Sequence, residues 1–194
     1  TGLAADGQPL ADPEVQIEPD NAQPAGAAAA PKPVTARIDQ QRMQFVPAVT
    51  LVPTGSTIRF TNLDRWEHHV RVLPSAAGAL MAGSAGKGQE LRMPGMTDPQ
   101  APPSAEIAVP EAGPWRLGCH LHGSMRGFIY VTDSPWAAKT EADGRVTLQG
   151  VPEGSAKVRV WHGEQVVDGA PTRVQLTAVS AFEVKTGVVP RRRR

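Results

Sequence analysis

The 194 residues carry a formal net charge of +1, one cysteine, nineteen glycines and nineteen prolines. So small a charge gives no basic field for nucleic acid, a single cysteine closes no internal disulfide, and no run approaches the roughly 20 apolar residues of a membrane span. Glycine and proline cut the chain into short segments rich in Val, Ile, Thr and Phe, which predicts an all-β protein, and the length fits two small domains. The first residue is Thr rather than Met, which suits a mature, exported chain whose signal has been removed. The run Arg191–Arg194 reads as a solvated tail.

In chain order, Asp6-Gly7 marks a turn and Val15–Ile17 a short alternating strand. From Asn21 to Pro33 the chain is almost all Ala, Pro, Gly and Gln, too poor in apolar bulk to pack, and reads as a linker. Strands are expected at Ala36–Asp39, Val49–Val52, Thr57–Asn62 and His69–Leu73. The small, polar stretch Pro74–Pro103 is then read as a long insert. Strands resume at Ala105–Val109, Trp115–Cys119 and Gly127–Thr132, so that about seven strands form a sandwich. Beyond Asp133, turns at Asp143-Gly144 and Pro152-Glu153-Gly154 separate strands Arg145–Leu148 and Ala156–Trp161, and Thr172–Val179 and Ala181–Lys185 follow.

The segments DGQPLADPEV and TEADGRVTLQGVPEGSAKVRV together resemble the carboxypeptidase regulatory-like, transthyretin-like β-sandwich family. In that family both belong to one sandwich, but here more than a hundred residues separate them. The resemblance implies a discontinuous domain of residues 1–33 and 134–194, with a second domain, 34–133, inserted; such insertions are physically cheap when the termini of the insert lie close together.

Four of the five histidines and the only cysteine fall in two short places, Glu67-His68-His69-Val70 and Cys119-His120-Leu121-His122-Gly123-Ser124-Met125. A thiolate, imidazoles and a thioether suit copper, because sulfur favours Cu(I), imidazole accepts either oxidation state, and a weak Met bond lets both share one geometry. Three ligands on one loop, Cys119-x-x-His122-x-x-Met125, and a fourth from a distant strand would close a pocket. Neighbours on a strand point to opposite faces, so only one of His68 and His69 can look into it. Outside this group, His162 reads as structural, Met93 and Met96 as incidental residues of a loop, Met43 and Met81 as without pattern, and Trp66 as packing.

The two clusters resemble the cupredoxins: the Cys119–Met125 loop has the ligand spacing of amicyanin, and TNLDRWEHHV resembles the segment ending in His-Asn-Val in plastocyanins and amicyanins. Plastocyanin-like proteins of the methylamine-utilisation type, with a paired His-His-Val, are more similar still. The resemblance spans 34–133 and implies a Greek-key cupredoxin β-sandwich beside a second, smaller β-sandwich. It further implies His68, Cys119, His122 and Met125 as ligands of one copper ion (Cu+/Cu2+), with His69 and His120 turned away. The function implied is one-electron transfer in the periplasm, with a redox protein such as a c-type cytochrome or dehydrogenase as partner; copper delivery or storage uses the same ligands and remains the alternative. No enzyme is expected, since a Cys and His on one tight β loop leave no oxyanion site or substrate pocket, and a thioether ligand argues against native zinc.

Overall fold

A computed structural model describes residues 1–9, 13–20, 31–74, 88–165 and 169–189. Residues 21–30 of the linker, residues 75–87 of the insert, Met81 and the arginine tail lie outside the described residues. The strands in chain order are β1 (Gly2–Leu3), β2 (Glu14–Pro19), β3 (Thr35–Gln41), β4 (Gln44–Val46), β5 (Val49–Pro53), β6 (Ser56–Asn62), β7 (His68–Pro74) and β8 (Gln89–Met93). They continue as β9 (Ser104–Val109), β10 (Gly113–Cys119), β11 (Arg126–Thr132), β12 (Ala137–Lys139), β13 (Gly154–Trp161), β14 (Thr172–Leu176) and β15 (Val184–Lys185). The described residues contain no helix, so the protein is all-β. It divides into two compact units, Pro31–Asp133 and the pair Thr1–Ala30 with Ser134–Arg194.

In the middle unit, a five-stranded sheet, β5-β11-β10-β7-β8, and a four-stranded sheet, β4-β3-β6-β9, send their inward residues into one core. Period-2 alternation explains the sorting: Ile58 and Phe60 of β6, Val70 and Val72 of β7, and Ile129 and Val131 of β11 are buried within that core. Each such side chain contributes about 1.5–3 kcal/mol on burial. Two pairs, β3 with β6 and β5 with β11, are parallel, so the chain passes between sheets rather than meandering within one. Both ends of the unit meet the turn after β5. There Ser56 Oγ accepts from the Val34 N–H at 3.0 Å, and Thr54 N–H donates to the Thr132 carbonyl at 2.9 Å.

Two strands of this unit differ from the sequence expectation. β8 arises within the stretch read as a polar insert: Leu91 and Met93 alternate with Glu90 and Arg92, and Met93 is 1% exposed in the core rather than incidental in a loop. β4 is joined to β3 through Arg42 and Met43, both in the left-handed region at φ 53° and 56°. This is the two-residue hairpin geometry that normally takes Asn-Gly.

In the other unit, β2 lies between β12 and β13 in the antiparallel sheet β12-β2-β13-β14. Val15, Val158 and Val160 form its core, joined by Ile17, Val146, Leu148, Val174 and Val184. Arg145–Leu148 is not a strand, a correction to the sequence reading. Its alternation records the packing of Val146 and Leu148 against the sheet, not ladder pairing. The strand expected at Thr172–Val179 ends at Leu176, and that expected at Ala181–Lys185 contracts to β15, which pairs in parallel with β1.

Candidate metal centre

β7 and β10 are antiparallel neighbours with Val70 opposite Cys119, which brings the His68 end of one strand to the Cys119 end of the other. β10 and β11 form a hairpin closed by the Gly118–Arg126 pair, so Cys119, His122 and Met125 share one loop. Within it Met125 N–H donates to the His122 carbonyl at 2.9 Å, folding the loop back on itself. Cys119, Met125 and His68 are buried at 7%, 1% and 0% exposure, whereas His122 is half-buried.

Three donor atoms converge. Cys119 Sγ is 3.4 Å from His122 Nδ1 and 3.7 Å from His68 Nδ1, and the two Nδ1 atoms are 3.1 Å apart. The point equidistant from the three lies about 2.0 Å from each, against metal bonds of about 2.0–2.1 Å to imidazole and 2.3 Å to thiolate. The triangle is thus already the size that a transition metal requires. Among the described residues, His68, Cys119 and His122 are the one such cluster of His, Cys, Asp and Glu donors. Met125 belongs to the same core cluster as Cys119 and brings a thioether to the same loop.

Asp64, four residues before His68, orients that ring. Its Oδ2 lies 2.9 Å from His68 Nε2. A carboxylate only accepts, so Nε2 carries the hydrogen and Nδ1 keeps its lone pair toward the cysteine. Oδ1 accepts from Arg42 N–H at 2.7 Å and Oδ2 from Met43 N–H at 2.9 Å. Burial opposes the charge, but the Met43 N–H, the His68 ring and the Arg42 N–H outweigh it, and the carboxyl is held below its ordinary range. Asn62 braces the same loop: its Nδ2 donates to the carbonyls of Trp66 and Pro94 at 2.9 and 2.8 Å, and its Oδ1 accepts from Asp64 N–H at 2.9 Å.

His69 and His120 point away from this cluster. His69 Nε2 is 3.3 Å from Glu90 Oε2, His120 is exposed, and their ring centroids are 5.6 Å apart. Trp66 is 48% exposed and so is not the packing residue expected of it. His162 lies in a turn of the other unit, where its Nδ1 accepts from Glu164 N–H at 3.1 Å. Sequence reasoning missed Asp64 and Asn62; the available signal was a carboxylate placed four residues before a candidate ligand.

No family model and no curated protein matches the chain. Among solved structures it is similar to an oxidised amicyanin variant, with 16% identity, a TM-score of 0.40, and coverage of 60% of this chain and 92% of that one. A Cu(I) amicyanin variant gives 22%, 0.38, and 50% against 82%. A reduced Cu(I) variant at pH 4 gives 18%, 0.39, and 61% against 98%. Identities and TM-scores this low leave the chemistry to be decided by the site itself.

Proposed function

We propose that the chain is a blue-copper protein of the cupredoxin kind, an electron carrier rather than an enzyme, which holds one copper ion with His68, Cys119, His122 and Met125. The observation that carries this reading is the triangle of one sulfur and two imidazole nitrogens, two of its three residues buried, with its metal-sized centre. Trigonal His2Cys donors with a weak Met are the donor set of blue-copper electron-transfer sites. Copper when bound supplies the one-electron couple Cu+/Cu2+. The protein's part is to hold the donors in place: a donor set fixed before loading leaves little to reorganise when the charge changes. Asp64 fixes the tautomer of His68, and the buried Cys119 and Met125 keep water from the sulfur side. His122 is half-buried, followed on its loop by the exposed Gly123 and Ser124 and preceded by Leu121, 54% exposed. This edge is where a redox partner, such as a c-type cytochrome or dehydrogenase, would dock in the periplasm.

Residues 34–133 are the copper domain in this reading, and 1–33 with 134–194 an interrupted carboxypeptidase regulatory-like sandwich. Support for the second part is the split motif and the insertion of β2 between two strands from beyond residue 133. The test is the visible spectrum of the copper-loaded chain. An intense copper–thiolate band with reversible one-electron reduction is expected, and it should vanish in Cys119→Ser and His122→Ala. A full band in either variant would refute the site, whereas tight Cu(I) binding with easy release to a chelator and no reversible couple would favour delivery or storage.

A further inference from the structure

Each of the two sequence clusters carries one histidine more than the inner triangle uses, and strand geometry gives both spares the same destination. Along β7, His68 points into the core, His69 out and Val70 in. At the end of β10, Cys119 points in and the next residue, His120, is exposed. The two strands are neighbours, tied here by a bond from His120 N–H to the His69 carbonyl at 2.9 Å. The outward rings therefore face each other across the same pair of strands that aligns the inward donors. Their centroids lie 5.6 Å apart at an interplanar angle of 32°, against 4.8 Å for His68 and His122. On the other side of β7, Glu90 of β8 brings its Oε2 to 3.3 Å from His69 Nε2.

We propose that His69, His120 and Glu90 form a second, solvent-facing site for a divalent transition-metal ion on the outer face of the five-stranded sheet. Two imidazoles and a carboxylate, with no sulfur, are a borderline donor set that suits Cu2+ in tetragonal N/O coordination, with water completing the shell. Among the described residues the inner cluster alone has its donors drawn to metal-binding distance, so an ion at the outer site requires the His69, His120 and Glu90 side chains to turn toward one point, a rearrangement that side-chain rotamers make in picoseconds to nanoseconds where they are exposed. The flanking cations do not forbid it. Arg71 Nε is paired with Glu90 Oε1 at 3.0 Å, and Arg92 Nη2 with Glu67 Oε1 at 2.8 Å, so the two arginines are offset by two carboxylates. Glu90 must share itself between Arg71 and the ion, which makes this site the weaker of the two. It does not depend on what the inner cluster binds.

The test is titration of the full chain with Cu2+, followed by electron paramagnetic resonance and absorption, in the wild type, the His69→Ala/His120→Ala double variant and Cys119→Ser. His120 is exposed and His69 is half-buried with its ring turned out of the core, so the double variant should fold as the wild type does. The expected wild-type result is a second ion with an ordinary tetragonal N/O signal and no thiolate band. Its affinity should fall at least tenfold in the double variant and severalfold in Glu90→Gln, while Cys119→Ser retains it. A second ion bound equally well by the double variant, or no second ion in the wild type, would overturn the proposal. If instead the wild type shows no thiolate band but still loses an N/O signal on removal of the outer histidines, the inner reading fails and the outer site stands.

Discussion

Replacing Asp64 by alanine removes one carboxylate from three tasks, and the structure sets the size of the loss. The Arg42 and Met43 N–H groups each lose a charged acceptor at 2.7 and 2.9 Å, where such bonds contribute about 1.5–3 kcal/mol each. Water can replace part of this, because the turn they belong to is exposed. Nε2 of His68, fully buried, is left without its acceptor, at about 1–3 kcal/mol. A net destabilisation of about 3–5 kcal/mol follows, a large share of the 5–15 kcal/mol that holds a domain together. Urea unfolding of the metal-free protein measures it. The same carboxylate holds Arg42 and Met43 at positive φ, which costs about 1–2 kcal/mol per non-glycine residue. Met43→Gly in the Asp64→Ala background should therefore recover about 1 kcal/mol. Because the folded carboxyl is held below its ordinary value, the wild type's advantage over Asp64→Asn is complete above the unfolded pKa of about 3.9. It disappears as the pH falls through the folded one. A loss below about 1 kcal/mol with an unchanged m-value, or an advantage that grows in acid, would refute this account.

The paired histidines give a sharper contrast: His68→Ala should abolish the copper–thiolate band as His122→Ala does, while His69→Ala keeps it, and the reverse would make His69 the ligand. In Gly95→Ala the new methyl is driven into the Arg65 backbone carbonyl and to 3.1 Å from Trp66 Cα. The loop between Asn62 and His68 must then shift. About 1–3 kcal/mol of stability should be lost together with copper affinity, and unchanged denaturation and copper titrations would contradict it. A fragment of residues 31–133 contains both sheets and every residue of the inner cluster. It should be soluble and take up copper by itself, as absorption and size-exclusion chromatography would show; failure to bind under reducing conditions would mean that the rest of the chain is needed.

The all-β class was legible because Gly and Pro punctuation and β-branched runs are local signals, and the middle strands Ala105–Val109 and Trp115–Cys119 were visible within two residues of their ends. β8 was hidden by composition. Its alternation from Gln89 to Met93 is clear once isolated, but it lies beside a stretch of Gly, Ala and Ser that masks it. β4 was hidden by its turn, since Arg-Met does not look like a hairpin loop and forms one only because a distant carboxylate accepts both N–H groups. Arg145–Leu148 failed in the opposite sense: alternation reports which side chains are buried, not whether the backbone finds a partner. For the metal centre, donor chemistry could be read from residue types. For the Asp64 bond to His68 the four-residue spacing was the one hint, and it is weak because the loop between them sets the geometry.

The meeting of both ends of the middle unit on the turn after β5 has a consequence for how the chain assembles. β2 emerges early in synthesis, yet its neighbours β12 and β13 follow only after residue 136, on the order of ten seconds later at ribosomal speed. Before the middle unit folds, joining Gln16 to Ala137 means closing a very long loop. Once Val34 and Thr132 are both fastened to residues 54–57, the effective loop shrinks to the short flanks. Each halving of loop length saves about 0.6 kcal/mol, so the gain is about 1.5 kcal/mol. The middle unit is thereby a clasp in the folding order: substitutions that delay its closure leave β2 unpaired, a free edge open to other chains, even when they touch nothing in the outer sheet.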